Sequence, residues 1–183
     1  INLLLKYPDN SAGSIMTTEY VDLQKNMTVS EAIEEIRKTG KDKENIYTCY
    51  VTGEKGILEG VLSLKELIAK KDTIQIEDIM NKKFISVHTD DDQEVVADLF
   101  KKYDFIVMPV VDHEGRILGI ITVDDVMDVV DQEVTEDFHK MAGITSSTDD
   151  SYLKTSVFTM ARQRIGWLAV LMISDTISGN IIQ

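Results

Sequence analysis

The sequence has little cysteine and few basic residues, and each shortage excludes a class of protein. Its single cysteine, Cys49, lies in an apolar run, which excludes a disulfide framework and a zinc site of several cysteines; we expect a buried core thiol. Lysine and arginine number 19 against 32 acidic residues, a formal net charge of −13, which argues against nucleic acid as a partner. With 43% hydrophobic residues among 183, the composition is that of a globular protein with a core.

A long hydrophobic run is also missing near the end of the chain. The apolar stretch 165–173 has nine residues, whereas a spanning helix needs about 20. Arg162 and Arg164 precede it and Trp167 lies at its edge, a pattern typical of the start of a transmembrane helix at the cytoplasmic side. A soluble core helix is the alternative.

The negative charge is concentrated in one segment. Residues 1–89 carry 14 acidic and 12 basic side chains, residues 90–137 carry 15 and 3, and residues 138–183 carry 3 and 4. Crowded like charges repel, and the segment has few lysines to offset them. We therefore expect a cation to bind there.

The chain contains an internal repeat. Residues 15–21 match 79–85 at an offset of 64, and residues 56–63 match 115–122 at an offset of 59. A period of about 60 residues is too long for a solenoid unit and indicates two similar modules packed together.

The two repeats show the same order of hydrophobic patterns, which predicts a β-α-β-β-α module of the α/β (α+β) class. The predicted helices and strands after the first strand are 29–37, 46–51, 57–62 and 64–69 in the first repeat and 94–102, 105–111, 116–122 and 123 onward in the second.

The last predicted helix is long and acidic. Neither proline nor glycine interrupts residues 123–141, and Gly143 supplies a stop. One face is an apolar stripe made of Val126, Val130, Val134, Phe138 and Met141. Carboxylates three and four residues apart share the other faces and form oxygen-only clusters.

Such oxygen clusters suit a hard divalent cation. No calcium-binding loop of the Asp-x-Asp-x-Asp-Gly type is present, and no cluster of cysteines or pair of histidines accompanies the helix to favour zinc. Magnesium fits weak sites between surfaces, because it retains several waters. A solvated acidic helix without a ligand is the alternative.

These residues carry a family resemblance. The segments 60–63 and 119–122, which end the last strand of each repeat, look like those of tandem cystathionine-β-synthase (CBS) domains. The segments 7–13, 104–112 and 123–140 resemble the cytosolic part of MgtE-type magnesium transporters, and this resemblance covers essentially all 183 residues.

The resemblance implies tandem CBS domains followed by a long acidic connecting (plug) helix and a helix that enters the membrane. It also implies a longer polypeptide, of which this chain is a part. The expected divisions are a tail of an N-terminal domain at 1–12, CBS domains at 13–72 and 73–122, the connecting helix at 123–146 and the start of the transmembrane domain at 147–183.

The resemblance further implies Mg²⁺ sensing by a homodimer in the cell membrane, with this region on the cytoplasmic side. Mg²⁺ bound to acidic residues would favour the closed pore. The ligand positions carried over from the family are Asp104, Asp125 and Asp128, with a second group of Glu133, Glu136, Asp137 and Glu94.

CBS pairs also suggest ATP as a candidate ligand. In many of them a Ser or Thr at a strand end and an acid three residues later hold the ribose, as Thr122 with Asp125 and Ser63 with Glu66 would here. Lys65 would face a phosphate, and Phe105 would stack on a base unless it is a core residue. Asp125 cannot easily serve ribose and metal together.

Two other functions remain open. The first is a nucleotide-sensing CBS module that regulates an enzyme or another transporter. The second, an enzyme, has little support, because His88, His113 and His139 lie far apart in sequence and no nucleophile-base arrangement or phosphate-binding glycine loop is present. His113 and His139 are expected to face solvent.

Overall fold

The computed structural model describes residues 7–141 and four helical positions, 165, 169, 170 and 172. The side chain of His139 and the remaining residues of 142–183, including the expected membrane segment, lie outside this description. The chain divides into two compact units, residues 1–130 and 131–183. The first unit holds both sequence repeats.

The first repeat forms a small sheet with two helices. After the short helix α1 (Ala12–Ile15), it consists of β1 (Tyr20–Gln24), α2 (Val29–Thr39), β2 (Asn45–Thr52), β3 (Leu58–Ser63) and α3 (Leu64–Ile68). The strands lie in the order β1-β2-β3, with β1 and β2 parallel and β2 and β3 antiparallel.

The second repeat has the same order of elements. It consists of β4 (Val87–His88), α4 (Gln93–Tyr103), β5 (Val107–Val111), β6 (Ile117–Thr122) and α5 (Val123–Met141), and its sheet order is β4-β5-β6 with the same strand directions. The tandem α/β architecture predicted from the sequence is therefore confirmed. One strand start was wrong: Phe105 precedes β5, because the chain first leaves α4 through a left-handed residue at Asp104.

Each repeat is completed by the segment that precedes the other repeat's sheet. The backbone of Thr17 pairs with Ile120 of β6, and Asn81 pairs with Val61 of β3. This close approach requires glycine beside it: a Cβ at Gly119 would lie 2.6 Å from the carbonyl oxygen of Thr17. The two repeats are thus interleaved rather than simply joined end to end.

A shared apolar layer packs the two sheets together. Its buried residues come from β2 and β3 of the first repeat and from β5 and β6 of the second, and they are Tyr50, Leu58, Val111, Ile117 and Ile120. Because both sheets contribute, the ends of β3 and β6, where the predicted nucleotide residues lie, are held in fixed positions within the unit.

The acidic helix α5 begins at the predicted residue and covers 123–141 of the described chain, but only its first turns are buried. Val126 and Val129 belong to the core of the second repeat. The rest of the predicted apolar stripe is exposed in the described structure: Val130, Val134, Phe138 and Met141. The core beneath α5 ends with the first unit, which contains residues of this helix only up to 130.

Candidate functional site

The predicted ribose-binding pairs form caps of the helices that follow β3 and β6. Thr122 donates its backbone N–H and its hydroxyl to Oδ2 of Asp125, at 3.2 and 2.7 Å. Ser63 makes the same two bonds to Oε2 of Glu66, at 3.1 and 2.9 Å, and accepts one from the Glu66 N–H. Ser63 and Glu66 thus cap each other reciprocally, which satisfies helix-end N–H groups, and Asp125 accepts from Thr122 in the same way as Glu66 from Ser63. These residues have a structural role whether or not a nucleotide binds.

The two ends differ in exposure and charge. Thr122 is buried, whereas Ser63 is half-buried and Glu66 is exposed. Lys65 lies exposed in the first turn of α3, at the position equivalent to Asp124 in α5. The end of the first repeat therefore offers a cation for phosphate, and the end of the second offers only carboxylates.

Phe105 lies near Thr122 in the second repeat. The Val123 N–H donates to the carbonyl oxygen of Ile106 at 2.9 Å, which joins the loop containing Phe105 to the start of α5. The Phe105 ring is half-buried, with its centre 6.4 Å from that of Phe100 and 5.5 Å from that of Tyr103. It is partly a core residue, and its remaining exposed surface is available for stacking.

The hydrogen bond between Val123 and Ile106 also brings two predicted metal ligands, Asp104 and Asp125, towards each other. Asp104 lies two residues before Ile106, and Asp125 lies two residues after Val123. Asp104 is exposed and adopts φ 53°, ψ 41°, the left-handed conformation that ends α4. Such a backbone conformation is uncommon for a residue other than glycine, although Asp tolerates it better than most.

Asp125 retains one carboxylate oxygen outside its helix cap. Both hydrogen bonds from Thr122 go to Oδ2, so we assign Oδ1 as the atom available to a cation or its water. Asp128, one turn later, and Glu94, in the first turn of α4, are both exposed. The positive end of the α5 dipole opposes a cation at this position, which weakens any site there.

The second predicted group, Glu133, Glu136 and Asp137, lies on the part of α5 that belongs to the second unit. The sequence shows few lysines in the acidic segment, but this group has a lysine partner just beyond it. The Lys140 Nζ lies 2.7 Å from Oε1 of Glu136 and 4.0 Å from Oδ1 of Asp137, one turn away on the same helix. The Glu136 hydrogen bond raises the pKa of Lys140, so this ammonium stays charged and competes with a metal ion.

Within the described ranges, no group of three or more histidine, cysteine, aspartate or glutamate side chains is arranged to hold one metal ion. In the same residues, no helix is both long and apolar enough to cross a membrane.

The structure also brings together a pair of histidines that the sequence did not indicate. His88 on β4 and His113 in the β5–β6 turn, which lie far apart in sequence, stack with ring centres 5.6 Å apart. Both are exposed, as predicted for His113. The only signal in the sequence was the repeat itself, which predicts a strand before α4. Because this strand, β4, runs parallel to β5, its end lies beside the turn that follows β5.

Comparison with known proteins identifies related sequences and structures. The sequence profile of the CBS domain matches residues 12–72 and 76–132. The magnesium transporter MgtE of Thermus thermophilus is 43% identical over 183 residues, which is 100% of this chain and 40% of that protein. The MgtE of Enterococcus faecalis is 39% identical over 182 residues, 100% of this chain and 39% of that protein. The chain thus spans about two fifths of these relatives.

A solved structure agrees with these sequence matches. The cytosolic domain of the Mg²⁺ channel MgtE in complex with ATP is 50% identical, with a TM-score of 0.68 over 69% of this chain and 51% of that one. The resemblance to MgtE-type transporters is confirmed over the full length of the chain.

Proposed function

The chain belongs to the CBS-domain family, and we propose that it is the Mg²⁺-sensing cytosolic regulatory region of an MgtE-like magnesium transporter or channel in the cell membrane. The observation that carries the proposal is the alignment of all 183 residues with MgtE magnesium transporters. No catalytic step is assigned to it.

The carboxylates of the second repeat are the proposed sensor. Asp104, Asp125 and Asp128 lie at the end of α4 and the start of α5. Their mutual repulsion is lowest when a divalent cation or its hydration shell lies among them. With one carboxylate oxygen of Asp125 already used in a helix cap, and with the helix dipole opposing a cation, binding is weak, as a sensor of millimolar Mg²⁺ requires.

Gating follows as a shift of populations. In a homodimer formed through the CBS domains, two copies of α5 carry the same negative charge, and they repel at low Mg²⁺. Mg²⁺ bound by the first group, and by the group of Glu133, Glu136 and Asp137, favours the arrangement with the helices close together and the pore closed. The ion shifts this equilibrium only as far as it binds the closed arrangement more tightly.

Protease protection tests the sensor. The 183-residue chain is digested across a millimolar range of Mg²⁺, with ionic strength matched by potassium. We expect saturable protection around α5 in the wild type and weaker protection in Asp125→Asn and Asp128→Asn. Asn at position 125 keeps an oxygen that can accept the Thr122 bonds, so the cap survives.

The control is Asp98→Asn, which removes an exposed carboxylate of α4 outside the proposed set. It should respond to Mg²⁺ like the wild type. An equal response from all four proteins would contradict the assignment of these two aspartates.

ATP is the proposed second ligand, supported by the related MgtE domain solved with ATP. The residues proposed to bind it are Ser63, Lys65, Glu66, Phe105 and Thr122. Lys65→Ala should weaken ATP binding measured by calorimetry, and Lys41→Ala, an exposed lysine after α2, is the matched control. A far larger stability shift with ATP than with Mg²⁺ would favour the alternative function, a nucleotide-sensing module of another transporter or enzyme.

A further inference from the structure

We propose that His88 and His113, with Asp90, form a surface site for a transition-metal ion such as Zn²⁺ or Ni²⁺. The site lies where the end of β4 meets the turn between β5 and β6. It is separate from the residues proposed for Mg²⁺ and ATP, and it does not rest on the proposed function.

The distances suit a shared metal. The ring centres are 5.6 Å apart, and two imidazoles on one tetrahedral zinc, with Zn–N bonds of about 2.0–2.1 Å, have ring centres roughly 5 Å apart. His113 Nε2 already lies 3.8 Å from Oδ1 of Asp90, which supplies a third ligand. Imidazole nitrogens favour Zn²⁺, Ni²⁺ and Cu²⁺ over Mg²⁺.

The observed arrangement is not yet a coordinating one, and metal binding requires the exposed side chains to rotate. The two rings are inclined by 23° and stack, so their in-plane lone pairs do not converge, in keeping with the lack of a preformed metal group in the described residues. The side chain of His113 is 78% exposed and that of Asp90 is 61% exposed. Exposed side chains change rotamer within nanoseconds.

The backbone on both sides is fixed, which keeps the two rings within reach. The His88 N–H donates to Oδ2 of Asp91 at 2.8 Å, and His88 pairs with Val111 in the sheet. The turn that carries His113 is closed by Arg116, whose Nε donates to Oδ2 of Asp112 at 2.7 Å. A metal bound here would therefore link β4 to the β5–β6 turn without moving either element.

Calorimetric titration of Zn²⁺ into the 183-residue chain tests the site. Excess Mg²⁺ is present to occupy oxygen-only sites. We expect one Zn²⁺ per chain in the wild type, at least about tenfold weaker binding in His88→Ala and in His113→Ala, and loss of that equivalent in the double variant. His139→Ala, which removes the third histidine of the chain, is the matched control and should bind like the wild type.

A second measurement follows the ligands directly. Zn²⁺ should shift the imidazole nitrogen resonances of His88 and His113 in NMR spectra and raise the melting temperature of the wild type but not of the double variant. Zn²⁺ binding that survives in the double variant, or that is weakened equally in His139→Ala, would overturn the proposal.

Discussion

Thr17 and Ile120 exchange two backbone hydrogen bonds of 2.8 Å each, so the segment before β1 of the first repeat pairs with the sheet of the second. Asn81 and Val61 make the equivalent exchange in the other direction, at 2.8 and 3.0 Å. Neither CBS repeat is therefore structurally complete without residues that precede the sheet of the other.

This interleaving predicts different costs for two equivalent glycine substitutions. In Gly119→Ala the new Cβ would lie 2.6 Å from the Thr17 carbonyl oxygen, and we expect a loss of about 1–3 kcal/mol in the free energy of unfolding. In Gly60→Ala the nearest atom is the Met80 sulfur at 2.8 Å, on a flexible side chain that can move. Urea denaturation should show the smaller loss for Gly60→Ala; equal losses would contradict the explanation.

Tyr50 lies in the apolar layer between the two sheets, and its replacement by phenylalanine should be tolerated. Among the described residues its hydroxyl is buried without a hydrogen-bond partner, so Tyr50→Phe should leave stability unchanged or raise it by up to about 1 kcal/mol. The neighbouring Tyr20 donates its hydroxyl to the Ile117 carbonyl oxygen at 3.3 Å, and Tyr20→Phe should cost about 0.5–1.5 kcal/mol. Thermal denaturation of the two variants gives the comparison, and a larger loss for Tyr50→Phe would show that its hydroxyl has a partner.

The buried thiol of Cys49 is expected to react with an alkylating reagent mainly in the unfolded chain. Burial raises its pKa to about 12, and the thiolate is the reactive form, so iodoacetamide at pH 8 should modify the native chain at least about a hundredfold more slowly than the chain in urea. The unfolded thiol ionises near pH 8.5, so the stability contributed by this group falls as the pH rises above that value. Rapid native labelling, measured by mass spectrometry, would contradict the burial.

Two substitutions at Asp104 separate the effect of backbone strain on stability from the effect of the carboxylate charge on the Mg²⁺ response. Its φ of 53° favours glycine, so Asp104→Ala should cost about 1 kcal/mol in stability, whereas Asp104→Gly should stay within about 0.5 kcal/mol of the wild type. Both variants lose the carboxylate, so both should weaken Mg²⁺ protection by the same factor. A normal Mg²⁺ response in the stable Gly variant would remove Asp104 from the proposed sensor.

Local sequence patterns predicted most helices and strands to within two residues. The helix predicted at 123–141 runs without a break because it lacks interior glycine and proline. Helix α2 begins after Thr28, and the side chains of Thr28 and Glu31 each accept a hydrogen bond from the backbone N–H of the other residue. The start of β5 was misplaced, because Asp104 adopts a left-handed conformation that hydrophobicity does not encode.

The candidate site could be predicted only in part, since a pattern gives residue types but not their partners. Thr122 and Asp125 were singled out together because they match the pattern of CBS pairs, in which a Ser or Thr at a strand end is followed by an acid three residues later, and they do meet. The partner of Glu136 was missed, although Lys140 lies on the same helix, because the acidic segment was taken to end at residue 137 and Lys140 belongs to the next segment.

The sequence by itself determined the repeat, the order of helices and strands, the acidic helix and the family, because these depend on local periodicity and on residues matched in order. Only the tertiary structure decided which segment completes which sheet and that His88 meets His113. These depend on contacts between residues distant in the chain, such as Thr17 and Ile120, which are 103 residues apart. The packing of two sheets forms such contacts.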